Sequence, residues 1–237
     1  MLKNLVLLVL FLATALIPTT GEVQEGLRAY KQKDYERAVK EFQAAANDQN
    51  SIGMHLLASM YYQGQGVEQD MEKAVEIFQQ AADLGQVKSQ VNLGIMYKTG
   101  NGVEKDLPKA VEYFTTAAQK GDLQASFNLG QMYRKGLGVE VDHKKMVAYL
   151  RYAAENGHMP AANEYGLIHV SGEGVEKSAE EAYAWFAAAS HAGFKQASKN
   201  VVSVKKILGD EKIKQANVRA NQVAMLIKNN LQKKVRR

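Results

Sequence analysis

The stretch from Asn92 to Asp106 reads NLGIMYKTGNGVEKD, and the Gly-x-Gly-Val loop inside it decides the fold. The loop returns at intervals of 36 residues as GQGV, GNGV, GLGV and GEGV. Its first glycines are Gly64, Gly100, Gly136 and Gly172, and its second glycines are Gly66, Gly102, Gly138 and Gly174. A period between about 20 and 50 residues is typical of a solenoid, whose units cannot bury their apolar faces alone. The sequence therefore predicts a repeat array with an exposed binding surface rather than a buried catalytic pocket.

Each unit reads as two helices joined by this loop, so the predicted fold class is all-α. In the repeat that contains residues 92–106, Leu93 and the apolar residues one turn away from it form an apolar stripe on the first helix. Glycine readily adopts the left-handed conformation that ends a helix, so we expect a positive φ at Gly100 and Gly136. Asp106 is suited to the N-cap of the second helix. The recurring apolar positions predict a buried column that contains Leu93, Leu129, Phe78 and Phe114.

The register of the repeat sets the expected domain organisation. Asp34 and Phe42 lie 36 residues before Asp70 and Phe78, which predicts a shorter helical hairpin ahead of the first loop. Terminal units of a solenoid are atypical because they close its open ends. The expected segments are a signal peptide (1–21), a tetratricopeptide-like hairpin (22–50), repeats 1 to 4 (51–86, 87–122, 123–158 and 159–194) and C-terminal capping helices with a basic tail (195–237).

The N-terminus reads as an export signal. Lys3 precedes an apolar run from Leu5 to Ile17, which is shorter than the roughly 20 residues that span a bilayer. Cleavage after Gly21 and cleavage after Ala15 both fit the small residues there, and an uncleaved anchor or a buried N-terminal helix remains the alternative. We therefore expect a periplasmic or secreted protein. The chain has no cysteine, which excludes disulfides, thiolate sites and a lipoprotein anchor.

The repeated pattern Leu-Gly-x-Met-Tyr, Gly-x-Gly-Val, Asp-x-x-Lys-Ala-Val and Ala-Ala-x-x-Gly resembles the Sel-one-like repeat, a relative of the tetratricopeptide repeat. The resemblance covers about residues 51–200 and implies a right-handed α-solenoid that mediates protein–protein contacts. Exported bacterial members are similar to proteins of envelope assembly, motility, signalling or host-cell interaction. Relatives that bind β-lactams carry paired cysteines, which this chain lacks.

Short motifs with catalytic associations have structural explanations here. Lys98-Thr99-Gly100 spells KTG, and the segment from Ser203 to Lys206 fits S-x-x-K, but no SDN partner accompanies them. The Gly-x-Gly-Val loops lack the further glycine or lysine of a phosphate-binding loop. No two of the five histidines have metal-ligand spacing. We therefore expect no catalytic residue, metal or cofactor, with an envelope-associated hydrolase or β-lactam-binding protein as the alternative function.

A binding surface is predicted on the first helix of each unit, on the face away from the repeated core residues. Its side chains vary in class between units, and in a superhelix the first helices line the concave groove. We expect Lys98 and Arg134 to be exposed and to pair with acidic groups of a partner protein or peptide. The candidate partner-binding residues are Tyr62, Asn92, Lys98, Asn128, Gln131 and Arg134.

The C-terminal segment is basic and predicts a further amphipathic helix. Its apolar face contains Ile213, Ala216, Ala220, Val223 and Ile227. One interpretation is a cap that packs on the last repeat with a polar outer face. The other is attachment to a membrane surface. Nucleic acid is not an expected partner of an exported chain, and the sequence leaves the oligomeric state open.

Overall fold

The computed structural model describes residues 21–235, and all regular structure in this range is helical. No helix in that range is long and apolar enough to cross a membrane. The helices are α1 (Gly21–Lys31), α2 (Tyr35–Asn47), α3 (Ser51–Gln63), α4 (Met71–Asp83), α5 (Val87–Thr99), α6 (Leu107–Gln119), α7 (Leu123–Lys135), α8 (His143–Glu155), α9 (Met159–Ser171), α10 (Ala179–His191) and α11 (Lys195–Val235). The predicted signal peptide lies outside the described residues, apart from Gly21.

The chain divides into two compact units, the first ending at Ser89 and the second beginning at Gln90. In the first unit, α1 to α4 enclose a core around Phe42 and Leu57. In the second unit, a core that includes Leu150 and Phe186 continues from the third repeat into α11. The boundary between these units falls inside α5, the first helix of repeat 2.

The loop glycines end the first helices as predicted. Gly100 and Gly136 have φ values of 77° and 66°, which confirms the expected left-handed caps. The next helix starts at an aspartate whose carboxylate accepts a hydrogen bond from a main-chain N–H three residues later, at Asp70, Asp106 and Asp142. Each loop is therefore held at both ends by local hydrogen bonds, which fixes the angle between the paired helices.

The second loop glycine has an additional role, which the sequence does not reveal. A Cβ atom on Gly138 would lie 2.4 Å from the carbonyl carbon of Leu107, and one on Gly66 would lie 2.4 Å from that of Tyr35. Each of these loops therefore packs directly on the backbone at the start of the second helix of the preceding helix pair, which is α6 for Gly138 and α2 for Gly66. A side chain at either glycine would force the two backbones apart.

The predicted burial of the recurring apolar residues is confirmed. Leu93, Leu129, Phe78 and Phe114 are all 1% exposed or less. The ring of Phe114 fills the space left by a glycine on the paired helix, because a Cβ on Gly94 would lie 2.6 Å from the ring. The aromatic side chain and the missing side chain therefore form a complementary pair that sets how closely α5 and α6 approach.

The C-terminal segment packs on the last repeat, as the capping interpretation predicts. Gly209 interrupts α11 with a φ of 69° and a ψ of 170°, so the helix turns there. Beyond it, Ala216 and Val223 are fully buried, and Ile227 is 6% exposed. Asn230 donates a hydrogen bond to the backbone carbonyl of Glu155, which places this end of α11 beside the end of α8. Its apolar face is therefore buried in the fold.

His55 should make the first unit sensitive to acid. Its Nδ1 lies 3.0 Å from the hydroxyl of the fully buried Ser89. Burial, with a smaller contribution from Lys88, lowers the pKa of His55 from 6.5 to about 4. As the pH falls through this interval, the unfolded chain binds a proton that the folded chain does not. We expect the free energy of unfolding to lose roughly 2–3 kcal/mol from this residue between pH 6.5 and 4.

Urea unfolding at neutral and mildly acidic pH measures this effect. His55→Gln should lose less stability on acidification than the wild type, since glutamine does not titrate while the carboxylates titrate alike in both chains. Equal losses in the two proteins would show that His55 is not the responsible group.

Candidate functional site

The six predicted partner-binding residues lie at the expected turns of the first helices. Tyr62 is on α3 in the first unit, and the other five are on α5 and α7 in the second unit. Their environments differ, however, because neighbouring first helices in the second unit are joined by side-chain bonds. The arrangement of α5, α7 and α9 therefore decides which of the five are available to a partner.

Lys98 and Asn128 bind each other. The Lys98 Nζ donates a hydrogen bond of 2.8 Å to the Asn128 Oδ1, and the Asn128 Nδ2 donates one to the backbone carbonyl of Gln124. Asn128 is only 6% exposed. Burial, together with the nearby Lys135, lowers the pKa of Lys98. Both ends of the Asn128 side chain are thus occupied inside the protein.

Arg134 makes the corresponding contact one repeat later, with two carboxylates. Its Nε donates to Glu173 Oε2 at 2.8 Å, and its guanidinium also lies 3.3 Å from Glu164. The hydrogen bond that Arg134 donates to Glu173 is the main cause that raises the pKa of Arg134. His143 Nδ1 lies 3.5 Å from the same Glu173 carboxylate. The charge of Arg134 is therefore balanced within the second unit.

These contacts correct the prediction that Lys98 and Arg134 are exposed cations, because both are only partly exposed and are internally bonded. The two pairs share one geometry: the side chain at the end of a first helix reaches the residue 30 positions later, on the next first helix. The sequence of a single helix could not reveal these contacts, because each of them joins two neighbouring repeats. The face is a ladder of inter-helix ties rather than a free cationic row.

Asn92 and Gln131 are the predicted residues that remain open in the second unit. Both are partly exposed, and neither side chain has a hydrogen bond or ion pair within residues 21–235. They lie on the same helices as Lys98 and Arg134. Two amide groups, each with donors and an acceptor, are therefore without an internal partner on the helices that carry the Lys98 and Arg134 contacts.

The catalytic-looking motifs are part of the helices. The Thr99 hydroxyl donates to the backbone carbonyl of Ile95, and Gly100 is the left-handed residue that follows. The Ser203 hydroxyl donates to the backbone carbonyl of Lys199. Within residues 21–235 no group of three or more histidine, aspartate or glutamate side chains could hold a metal ion. The KTG and S-x-x-K matches are thus accounted for by local helix structure.

One set of contacts was missed by the sequence analysis. In three repeats a lysine lies over the ring of the tyrosine 12 residues before it, at 4.3 Å for Lys73 and Tyr61, 4.3 Å for Lys109 and Tyr97, and 5.0 Å for Lys145 and Tyr133. A cation over an aromatic face is attractive and joins the two helices of a unit. The sequence contained a signal for these contacts, because a tyrosine is followed by a lysine after 12 residues in each of the three repeats. The fourth repeat has His169 and Glu181 there, and Glu181 instead binds Arg219 of α11.

The repeats match a known family. A family model described as Sel1 repeat matches residues 51–86, 87–122, 123–158 and 160–194. These ranges coincide with the four predicted repeats except that the last begins one residue later. A search of curated proteins found no match.

Solved structures show the same fold. A protective antigen of uropathogenic Escherichia coli with an SLR fold is 30% identical, with a TM-score of 0.80 over 90% of this chain and 47% of its own. A Sel1 repeat protein from Oxalobacter formigenes is 26% identical, with a TM-score of 0.75 over 90% and 84% of the two chains. An immunity protein from Pseudomonas aeruginosa is 20% identical, with a TM-score of 0.53 over 89% and 84%, and shows the fold alone.

This chain spans about half the length of the Escherichia coli antigen. The predicted all-α solenoid and the predicted family are both confirmed by these comparisons. Because the family model matches more than half of the residues, and each match falls on one helix pair with its glycine loop, the chain belongs to the Sel1 repeat family.

Proposed function

We propose that the protein is a non-enzymatic scaffold that binds a protein or peptide partner along the first helices of its second unit. The observation that carries this proposal is that Asn92 and Gln131 have no internal bond, while Lys98 and Arg134 on the same two helices are bonded to the next first helix or its loop. A surface that is already ordered loses little conformational entropy when a partner binds. Asparagine and glutamine can both donate to and accept from a peptide backbone.

The family supports the same class of function, since Sel1 repeats generally serve as protein-interaction scaffolds. No observation on residues 21–235 favours the hydrolase or β-lactam-binding alternative. The apolar face of the C-terminal helix, which the sequence also offers to a membrane, is buried on the last repeat. We therefore place the partner contact on the first helices and not on that face.

Adding bulk at the two open amides tests the proposal. We expect Asn92→Arg with Gln131→Arg to reduce capture of partners from envelope extracts by about tenfold or more, because two long side chains would obstruct a groove that needs close contact. Affinity capture followed by quantitative mass spectrometry measures the loss.

The matched control is Thr116→Arg with Gln119→Arg, which adds the same charge to exposed positions of α6. Both double variants should unfold at wild-type urea concentrations. If the control reduces capture as strongly as the test variant, or if neither does, the first helices are not the binding face. Charge reversal of Lys98 and Arg134 is a poorer test, since Arg134→Glu would place a third carboxylate beside Glu164 and Glu173, and Lys98→Glu would remove the hydrogen bond to Asn128.

We also propose that the chain is exported through the segment before α1. Support comes from the apolar run from Leu5 to Ile17 and from α1, which is helical from Gly21 and already buries Val23 completely. Cleavage after Gly21 would leave this helix almost intact. Fractionation of cells that express the full chain should place a shortened product outside the cytoplasm, and N-terminal sequencing would locate the cut. Full-length protein in the cytoplasm would contradict export.

A further inference from the structure

Positive charge is concentrated in α11. Residues 195–235 carry ten lysine or arginine side chains and two acidic ones, whereas residues 21–194 carry 17 basic and 23 acidic side chains. Part of the charge on α11 holds the helix in place, because Arg219 binds Glu181 and Lys212 lies 3.8 Å from Glu180. Both contacts lie beyond the turn at Gly209, so they do not explain the lysines before it.

A row of lysines lies on the first part of α11, residues 195–208. Lys195, Lys199 and Lys206 follow the i, i+4, i+11 spacing of one helix face, and no acidic residue occurs in the segment. All three are exposed, and within residues 21–235 none of their ammonium groups has a hydrogen bond or ion pair. This differs from Lys98 and Lys109, which bind side chains of their own fold.

Apolar side chains are exposed among these lysines. Val202, at i+7 in the same row, is 57% exposed, and Ile207, which follows Lys206 and lies about 100° further round the helix at the flank of the row, is 67% exposed. The segment is anchored from its other side, where Ala197 and Val204 are buried in the core of the second unit. The fold thus presents a rigid helix face that combines unpaired positive charge with exposed apolar surface.

We infer that this face, defined by Lys195, Lys199, Val202, Lys206 and Ile207, binds an anionic lipid surface. Lysine is depleted in the cores of protein–protein interfaces, which argues against a protein occupant. At a bilayer the same residues are favourable: the ammonium groups meet anionic headgroups while valine and isoleucine enter the boundary with the acyl chains. Each lysine near an anionic surface contributes about 1 kcal/mol, which is a roughly fivefold change in binding.

Vesicle sedimentation tests this inference. The probes are vesicles of phosphatidylcholine with and without phosphatidylglycerol, mixed with the full chain and with a chain that starts at Gly21. The shorter chain removes any contribution from the apolar run at the N-terminus. Both should sediment with the phosphatidylglycerol vesicles at low salt, and the bound fraction should fall at high salt because exposed charges are screened.

Charge reversal locates the contact. Lys199→Glu with Lys206→Glu should weaken binding at least about 25-fold, since two lysines are lost and two repelled charges are added. Lys105→Glu with Lys144→Glu makes the same change in net charge at exposed positions elsewhere and should retain most of the binding. An equal loss in both double variants would overturn the assignment to α11, as would a wild-type chain that ignores the vesicles.

The absence of cysteine allows a direct measurement at the face. A polarity-sensitive fluorophore on Val202→Cys should shift to shorter wavelength when phosphatidylglycerol vesicles are added. The same label on Val141→Cys, a site of similar exposure (54%) outside α11, should not shift. If the label at residue 202 stays in water while the protein sediments, another surface makes the contact. Binding to polyglutamate without binding to vesicles would identify an acidic protein as the partner and overturn the lipid assignment.

Discussion

Phe114→Ala is expected to lower the free energy of unfolding of the second unit by about 3–5 kcal/mol. The ring is fully buried, and it occupies the space opposite Gly94. Alanine would lose the transfer free energy of the ring and leave a cavity beside Gly94, which has no side chain to fill it. The repeat that follows would also lose part of its support, because a repeat is stabilised chiefly by its neighbours.

Urea unfolding followed by circular dichroism measures this loss as a lower midpoint with an unchanged slope. Thr116→Ala, at an exposed position of the same helix, provides the control and should change stability by less than about 0.5 kcal/mol. A midpoint for Phe114→Ala that matches this control would mean that the ring does not hold α5 and α6 together.

Gly138→Ala is expected to cost about 2–5 kcal/mol, more than the left-handed conformation alone accounts for. At a φ of 70° a Cβ atom is strained, and here it would also lie 2.4 Å from the carbonyl carbon of Leu107. The loop would have to move off α6, which separates the third repeat from the second.

Gly193→Ala isolates the conformational part of this cost. Its φ is 88°, and no atom lies within 4 Å of the added Cβ. This variant should lose only about 1–2 kcal/mol. Urea midpoints of the two variants would therefore differ clearly, and equal losses would contradict the proposed close packing of the loop on α6.

The sequence predicted the repeat architecture well because that architecture depends on local chemistry. Glycine at a helix end, aspartate at a helix start and apolar residues on one face act within a few residues of one another, so a single unit contains the information. Because the same pattern occurs four times, each repeat supports the interpretation of the other three. This is why the caps at Gly100 and Gly136 and the burial of Leu93 and Phe114 were predictable.

Contacts between neighbouring repeats were not predictable in the same way. Gly136 and Gly138 look equivalent in the sequence, yet Gly138 approaches the backbone of the preceding unit far more closely. Lys98 and Arg134 look like free cations until α7 and α9 are placed beside them. The sequence therefore placed the candidate residues on the first helices, where the structure also has them, but which of their side chains are free of internal bonds could be seen only in the structure.

The inter-helix ties also give the array a fixed order. Lys98 meets an amide on the next first helix, while Arg134 meets carboxylates, so the ends of α5 and α7 are each matched to the residues that follow them. Exchanging repeats 3 and 4 would keep the helices in register and would still offer Lys98 a partner, Glu164, but it would separate Arg134 from Glu164 and Glu173 and place Val170, which cannot donate a hydrogen bond, opposite Asn128. The repeats are near-copies of one another, yet the polar contacts at their junctions differ and thereby specify their order along the chain. Recombination that exchanged the repeats would break some of these contacts.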